Sequence, residues 1–342
     1  MKKSLTILCA VLILMSFSLS GFGQTNFFDV SQATPPKAIP AKDMTVFVIV
    51  KASEDEFWQI VLDGAAKGAK HFGVKFIHQE PSSESEISKQ ISILETAIST
   101  KPDAIVLAPT VSDSLTPGIE KAMDSGIPVI LIDSPANTDN FVSFLGSDNY
   151  YMGQKAADEL AKSLESKKGK PTGEVAAIKF VSGVDTEEQR LKGFLDRIEE
   201  KYSDIKVIAI KESMGQRANV ITITNDLLTA FPKLDGIFST CEMVGDGVVR
   251  ALDMMNKKGL TIISIDASPQ QIWGLENGYL DVILVQQPWL MGYAGVAYAV
   301  MARNGVPLAK YVDTGILVVT KESLISGEID AAINPFEYYK DW

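Results

Sequence analysis

Two aspartates stand directly after apolar segments that have the length and composition of buried strands. Asp133 follows residues 127–132, and Asp266 follows residues 261–265. Open α/β sheets bind ligands at the carboxyl edge of their strands, where a carboxylate can accept hydrogen bonds from hydroxyl groups. An aspartate there can also simply close a turn or cap the next helix. Two aspartates at matching positions favour the binding of a small polar molecule.

The matching positions belong to an internal repeat. About thirty residues before each aspartate another strand starts, at Asp103 in the first case and at Asp235 in the second. The same strand–helix–strand unit therefore occurs twice, and each copy ends with a carboxylate. Two such edges facing each other would make a cleft lined with hydrogen-bond acceptors. This arrangement predicts a two-lobed binding protein.

The loop after the first strand combines polar side chains with two adjacent aromatic rings. Lys51 and Asp55 can bind hydroxyl groups, while Phe57 and Trp58 can stack on the apolar face of a sugar ring. The alternative is that the acidic residues favour a helix start and that the aromatics fill the core. Further along the chain, Arg190 on a helix and Gln286 after a strand are additional candidates, with a solvated arginine and an ordinary loop as the alternatives.

The elements that must position these groups follow from the apolar spacing. Helices are predicted at 56–72, at 87–98 with Ile87, Ile91, Leu94 and Ile98 on the apolar face, and at 288–304. Strands are predicted at 46–50, 74–78, 103–108, 127–132, 141–145, 174–181, 205–210, 235–239, 261–265, 281–285 and 315–320. Regular alternation of strands and helices predicts an α/β protein with two similar doubly wound lobes and mostly parallel sheets.

Length and composition define the organisation. Residues 1–23 have the basic start, apolar run and small residues of a signal peptide, which predicts a periplasmic or extracellular protein. A flexible leader is predicted at 24–43. The first lobe is predicted at 44–147 plus about 287–314, and the second at 148–286 plus about 315–342, because the chain exceeds the usual size of a single core.

Several classes of function are disfavoured. The net charge of −11, without a basic stripe, argues against nucleic-acid binding. Outside the predicted signal peptide the chain has one cysteine, Cys241, so no internal disulfide is expected. We interpret His71 and His78 as structural or exposed residues. Neither a metal-ligand cluster, a phosphate-binding loop nor a nucleophile elbow occurs, so we expect no catalytic residues, no metal and no cofactor.

An ordered set of motifs over about 44–320 resembles the ribose-binding-protein-like family, the sugar-binding subunits of bacterial ATP-binding-cassette (ABC) importers. The motifs are Phe57-Trp58 with Asp63-Gly64-Ala65, residues 103–109, residues 126–133, Ser147-Asp148-Asn149, Arg190-x-x-Gly-Phe194, residues 247–252 and Ile265-Asp266. The resemblance implies the type I periplasmic-binding fold, with two lobes joined by a hinge that closes on a sugar or polyol. The implied partners are that carbohydrate and an ABC permease, and the protein is expected to be a monomer.

The resemblance also implies roles for particular residues. Phe57 and Trp58 would stack on the sugar beside Asp55, Asp133 and Asp266 would accept from its hydroxyls, Arg190 would donate, and Gln286 would lie near the hinge. Lys51 resembles the lysine that some relatives carry for pentose-type ligands. Ser134 stands where ribose binders carry arginine, Cys241 beside Glu242 stands where most members carry asparagine, and Gly215 lies where many carry an aromatic residue. These departures leave the identity of the sugar open.

Other functions remain as alternatives. The chain could present its ligand to a membrane sensor kinase or chemoreceptor instead of a permease. A transcriptional repressor would need a DNA-binding segment where this chain has the signal peptide, and an enzyme is less favoured because catalytic patterns are weak. We expect both aspartates to be removable without loss of the fold. Glu84, placed on the outer surface of a helix, is expected to have no effect on binding.

Overall fold

The computed structural model describes residues 43–326 and 329–340. They form two compact units. Unit 1 contains the described residues up to Ser147, Gln287–Gly315 and those from Pro335 onward, and unit 2 contains Asp148–Gln286 and Ile316–Asn334. The predicted signal peptide and nearly all of the predicted leader lie outside the described residues.

Unit 1 is built on a six-stranded parallel sheet. Its strands are β1 (Thr45–Ile49), β2 (Lys75–Gln79), β3 (Ala104–Leu107), β4 (Val129–Ile132), β5 (Ser143–Gly146) and β11 (Tyr311–Asp313), in the order β11-β5-β4-β3-β1-β2. Its helices are α1 (Glu56–Phe72), α2 (Ile87–Thr100), α3 (Ser112–Asp124), α9 (Pro288–Arg303) and the short α12 (Pro335–Tyr338). The four-residue runs of β3 and β4 are wholly buried, as expected for central parallel strands.

Unit 2 repeats this architecture. Its strands are β6 (Gly173–Lys179), β7 (Ile205–Glu212), β8 (Gly236–Ser239), β9 (Thr261–Ile265), β10 (Val282–Val285) and β12 (Leu317–Val319), in the order β12-β10-β9-β8-β6-β7. Only β12 among these described strands runs antiparallel, against β10. Its helices are α4 (Asn149–Lys168), α5 (Asp185–Lys201), α6 (Arg217–Ala230), α7 (Glu242–Met254), α8 (Pro269–Glu276), α10 (Lys321–Ser326) and α11 (Asp330–Ile333).

The repeat is visible in hydrogen bonds at the strand starts. Asp103 Oδ2 accepts from the backbone N–H of Thr45 at 2.8 Å, and Asp235 Oδ2 accepts from the backbone N–H of Glu174 at 2.9 Å. In both units the aspartate before the first strand of the repeat thus holds the neighbouring strand. Asp103 and Asp235 are structural, at the opposite end of the strands from Asp133 and Asp266.

In each unit a pair of helices packs through glycine. In unit 1, a Cβ on Gly64 of α1 would lie 2.1 Å from the carbonyl oxygen of Trp289, and one on Gly292 of α9 would lie 1.9 Å from that of Val61. In unit 2, a Cβ on Gly193 of α5 would lie 2.0 Å from the carbonyl oxygen of Tyr150 on α4. The absence of side chains at these positions lets the two backbones approach closely.

The predicted α/β class, with two lobes of mostly parallel sheet, is confirmed. The predicted apolar face of α2 is confirmed at Leu94 and Ile98 but is wrong at Ile91, which is exposed. The other buried side chains of this helix are Gln90, Ile93 and Ala97. Strand β11 was not predicted. No helix of the described part of the chain is long and apolar enough to cross a membrane.

The predicted second lobe, with its last segment at about 315–342, extends too far at the C-terminal end. Gly315 and the segment from Pro335 onward belong to unit 1. Lys67 Nζ donates to the carbonyl oxygens of Tyr339 at 3.1 Å and Lys340 at 3.0 Å. The Tyr339 ring also stacks on Trp289, with centroids 3.9 Å apart. A single aromatic contact of this kind leaves no periodic signal in the sequence.

Candidate functional site

In unit 1, the carboxyl ends of β1 and β4 meet in a buried ion pair. Lys51 Nζ lies 2.7 Å from Asp133 Oδ2, and the two side chains are 2% and 4% exposed. Ser134 bridges the pair, because its Oγ accepts from Lys51 at 2.6 Å and donates to Asp133 Oδ2 at 2.8 Å. The structure thus brings together three of the predicted site residues.

The two predicted aspartates share an unusual backbone conformation. Asp133 has a φ of 64° and Asp266 a φ of 66°, both in the left-handed region. Aspartate and asparagine enter this region more readily than most non-glycine residues. Both are buried, at 3% and 6% exposure. The repeat therefore preserves the backbone turn at the end of the strand as well as the carboxylate.

The aromatic pair lies at the start of α1. Phe57 and Trp58 are both buried and meet edge to face, with ring centroids 4.8 Å apart and planes at 78°. Lys51 Nζ lies 5.4 Å from the Trp58 ring centroid, within the range of a cation–π interaction. Asp55 occupies the N-cap position of α1, and its side chain makes no capping hydrogen bond to that helix.

Glu84 joins this cluster, and its predicted place on the outer surface of a helix is wrong. It lies on the loop between β2 and α2, half-buried, and its Oε1 accepts from Trp58 Nε1 at 2.8 Å. Burial raises the pKa of Glu84 to about 7; Lys51 opposes the rise, and Asp55 and Asp133 add to it. Glu84 was missed because its only sequence signal is a polar loop.

In unit 2, Arg190 is held at the centre of a buried network. Its Nε donates to Asn149 Oδ1 at 2.8 Å, and its Nη1 donates to the carbonyl oxygen of Thr240 at 2.9 Å. Nη1 also lies 3.6 Å from Glu187 Oε1 and 4.0 Å from Asp266 Oδ2. Close packing of α5 on α4 brings Asn149 to the arginine, which is 3% exposed. The alternative of a solvated helix arginine is therefore wrong.

The remaining predicted residues of unit 2 lie at the ends of neighbouring strands. Gln286, 1% exposed after β10, donates from Nε2 to Asp266 Oδ1 at 2.9 Å. Its Oε1 is buried without a hydrogen-bond partner among the described residues, so it can accept from a ligand hydroxyl. Cys241 is half-buried at the N-cap of α7, and Glu242 is buried in the first turn of that helix.

Sequence reasoning missed three buried supporting residues. Gln90 of α2 donates to the carbonyl oxygens of Ala108 at 2.8 Å and Val50 at 3.3 Å, which ties together the segments that follow β1 and β3. Asn149 and Glu187 orient Arg190. Gln90 lies three and four positions before the buried Ile93 and Leu94, so a search for polar residues at helical spacing from apolar ones would have found it.

These groups suit recognition of a neutral polar molecule. Unit 1 offers aromatic rings beside fixed charges, and unit 2 offers a guanidinium between carboxylates and a buried amide. The described residues contain no group of three or more His, Cys, Asp or Glu side chains arranged to hold a metal ion. Charged groups that are already paired can exchange hydrogen bonds with hydroxyls without burying a new net charge.

Residues 46–307 match the family model described as periplasmic binding protein domain. The match covers most of the chain, so the chain belongs to this family. Ribose import binding proteins are among its relatives. That of Bacillus subtilis is 25% identical, with 92% of this chain and 99% of the relative covered. That of Escherichia coli is 26% identical, with 81% and 91% covered.

Solved structures agree with this assignment. A carbohydrate transporter solute binding protein from Agrobacterium radiobacter, in complex with D-arabinose, is 37% identical with a TM-score of 0.83, covering 86% of this chain and 100% of its own. An ABC transporter solute binding protein from Agrobacterium vitis with bound D-fucose is 32% identical with a TM-score of 0.79, covering 84% and 99%.

Proposed function

We propose that this protein is the solute-binding component of an ABC importer and captures a monosaccharide or a sugar-like polyol. The observation that carries the proposal is the buried aspartate at the end of β4 and of β9, each with a basic residue nearby. Asp133 pairs with Lys51, and Asp266 lies near Arg190. Relatives solved with D-arabinose and D-fucose support a sugar of five or six carbons.

The proposed roles follow the chemistry of each group. Trp58 and Phe57 supply apolar contact with the sugar ring, and Asp133 and Asp266 accept from its hydroxyls. Arg190 donates, and the open acceptor of Gln286 takes a further hydroxyl hydrogen. Asp55, Ser134, Cys241 and Glu242 complete the proposed set. Ser134 is already engaged with Lys51 and Asp133, so we propose that it acts mainly by fixing that pair.

The direct test is calorimetry of the purified chain against D-arabinose, D-fucose, D-ribose, D-allose, D-galactose and xylitol. We expect one of these compounds to bind at least about tenfold more tightly than the rest, because buried hydrogen-bonding groups reject a wrongly placed hydroxyl. Mass spectrometry of the bound fraction should return the compound unchanged, since the chain is proposed to be a receptor and not an enzyme. Absence of binding across the panel, or conversion of a sugar, would contradict the proposal.

Location, partner and assembly are separate parts of the proposal. We propose an exported protein, to be tested by finding the mature chain without residues 1–23 in the periplasmic or extracellular fraction. Stimulation of ATP hydrolysis by a reconstituted sugar permease would support transport, while stimulation only of a sensor kinase or chemoreceptor would support the alternative. Sedimentation should give a monomer. Hinge closure stays a prediction, and small-angle scattering with and without sugar tests it.

A further inference from the structure

We propose that Glu84 is a positioning residue for Trp58, whose indole ring it holds in the orientation that stacks on the sugar. The inference rests on the proposed function, because it assigns to Trp58 the stacking contact. The polar atom of Trp58 is its Nε1–H, which can only donate. Trp58 is 2% exposed, and its Nε1 donates to Glu84 Oε1 at 2.8 Å.

Three contacts together restrict the indole. The plane of the Phe57 ring lies at 78° to the indole, Lys51 Nζ lies 5.4 Å from the indole ring centroid, and Glu84 accepts from its nitrogen. The first two contacts allow the ring to rotate or slide, since aromatic and cation–π interactions have broad minima. A hydrogen bond from an indole to a carboxylate is directional. Glu84 therefore selects one orientation of the ring before the ligand arrives.

The charge of Glu84 depends on its surroundings. Lys51 and Asp133, at the ends of β1 and β4, and Asp55, before α1, all interact with it electrostatically. Its own loop also carries Glu80, 2.9 Å from His78, and Glu86, which accepts from the backbone N–H of Ser82. Burial is the largest influence and raises the pKa of Glu84 to about 7, although Lys51 and the Trp58 hydrogen bond oppose it.

This environment predicts a dependence of binding on pH. An ionised carboxylate accepts from an indole N–H more strongly than a protonated one. As the pH falls through about 7, Glu84 takes up a proton and its hold on Trp58 weakens. Sugar affinity should therefore decrease on the acid side of neutrality, by roughly threefold to tenfold. If Glu84 only supported the loop, the sugar affinity would not change with a midpoint near pH 7.

The first test requires no ligand. The indole N–H signal of Trp58, identified in nitrogen-15 spectra by its loss in Trp58→Phe, is followed from pH 5 to pH 9. We expect it to shift with a midpoint near 7 and to become independent of pH in Glu84→Gln, which keeps an acceptor without the charge. The indole of Trp289, which donates to Asp63 Oδ2 at 2.9 Å, is an internal control that Glu84→Gln should leave unchanged. A Trp58 signal that is flat in the wild type, or that titrates equally in Glu84→Gln, would overturn the proposal.

The second test measures affinity for the sugar in the panel that wild-type protein binds most tightly. At pH 8 we expect Glu84→Gln to weaken binding by about threefold to tenfold and Glu84→Ala by about tenfold to thirtyfold, since Ala removes the acceptor as well as the charge. Glu86→Gln removes one charge from the same loop without touching Trp58 and should stay within about twofold of wild type. Unchanged affinity in Glu84→Ala, or affinity that rises as the pH falls, would refute the positioning role. Failure of every sugar to bind would refute the proposed function alone, because the spectroscopic test stands without a ligand.

Discussion

The buried pair of Lys51 and Asp133 should hold the fold of unit 1 as well as any ligand. Their atoms are 2.7 Å apart, and each side chain is almost fully excluded from water. Removal of one partner leaves the other charge buried with only part of its compensation. We therefore expect Lys51→Met to destabilise the protein by about 3–5 kcal/mol.

The variant Asp133→Asn removes the charge without straining the backbone. Asparagine tolerates the φ of 64° that Asp133 adopts, whereas alanine would add strain. The expected loss is about 3 kcal/mol, since Lys51 then remains buried beside a neutral amide and Ser134. The double variant Lys51→Met with Asp133→Asn removes both charges. It should be more stable than the sum of the two losses predicts, by at least about 2 kcal/mol.

Urea unfolding of the four proteins, followed by circular dichroism, measures this coupling free energy. Lys121 and Glu95 form the matched control, because they also make an ion pair but are 56% and 44% exposed. Their coupling should stay below about 1 kcal/mol. If the Lys51–Asp133 coupling is no larger than that of the control pair, the pair is hydrated in solution and the reasoning from burial is refuted. A large coupling would also show that loss of Asp133 lowers the stability of the fold, even though the variant is expected to remain folded.

Three further predictions follow from other contacts. Asp266→Asn, which keeps the left-handed turn, should weaken sugar binding by about 1.5–3 kcal/mol in calorimetry; wild-type affinity would show that Asp266 only shapes the turn. Gly292→Ala should lower the free energy of unfolding by about 1–3 kcal/mol, because its Cβ would meet the carbonyl oxygen of Val61, and an unchanged urea midpoint would show that the two helices have room to separate. The pKa of Glu84 is raised in the folded protein, which therefore binds the proton more tightly than the unfolded chain does. The stabilisation of the fold by protonated Glu84 is complete below about pH 4.5 and is lost as the pH rises through about 7. Between pH 5 and pH 8 the free energy of unfolding of the wild type should therefore fall by about 1–2 kcal/mol relative to that of Glu84→Gln, after allowance for partial exposure. Parallel curves of stability against pH for the two proteins would contradict this expectation.

Local sequence patterns were enough to predict most of the elements. The predicted bounds of the helix at 56–72 and of the strand at 261–265 agree with α1 and β9, because short apolar runs and a 3.6-residue period report burial directly. The internal repeat could also be recognised in the sequence, since Asp133 and Asp266 each occupy a turn that few other residues tolerate. Composition and motif order were sufficient to indicate the family.

Which buried polar groups meet could not be predicted from local patterns. Glu84 reaches Trp58 across 26 positions and Arg190 reaches Asn149 across 41, and neither distance is set by local periodicity. The apolar face of α2 was misjudged at Ile91 because a buried glutamine, Gln90, takes a place in the core by bonding to the backbone after β1 and β3. Such a placement is favourable only when its hydrogen-bond partners are present. Apolar periodicity therefore predicts most of the strands and helices, while the partners of buried charges and amides depend on contacts between distant segments that exist only once the sheet is assembled.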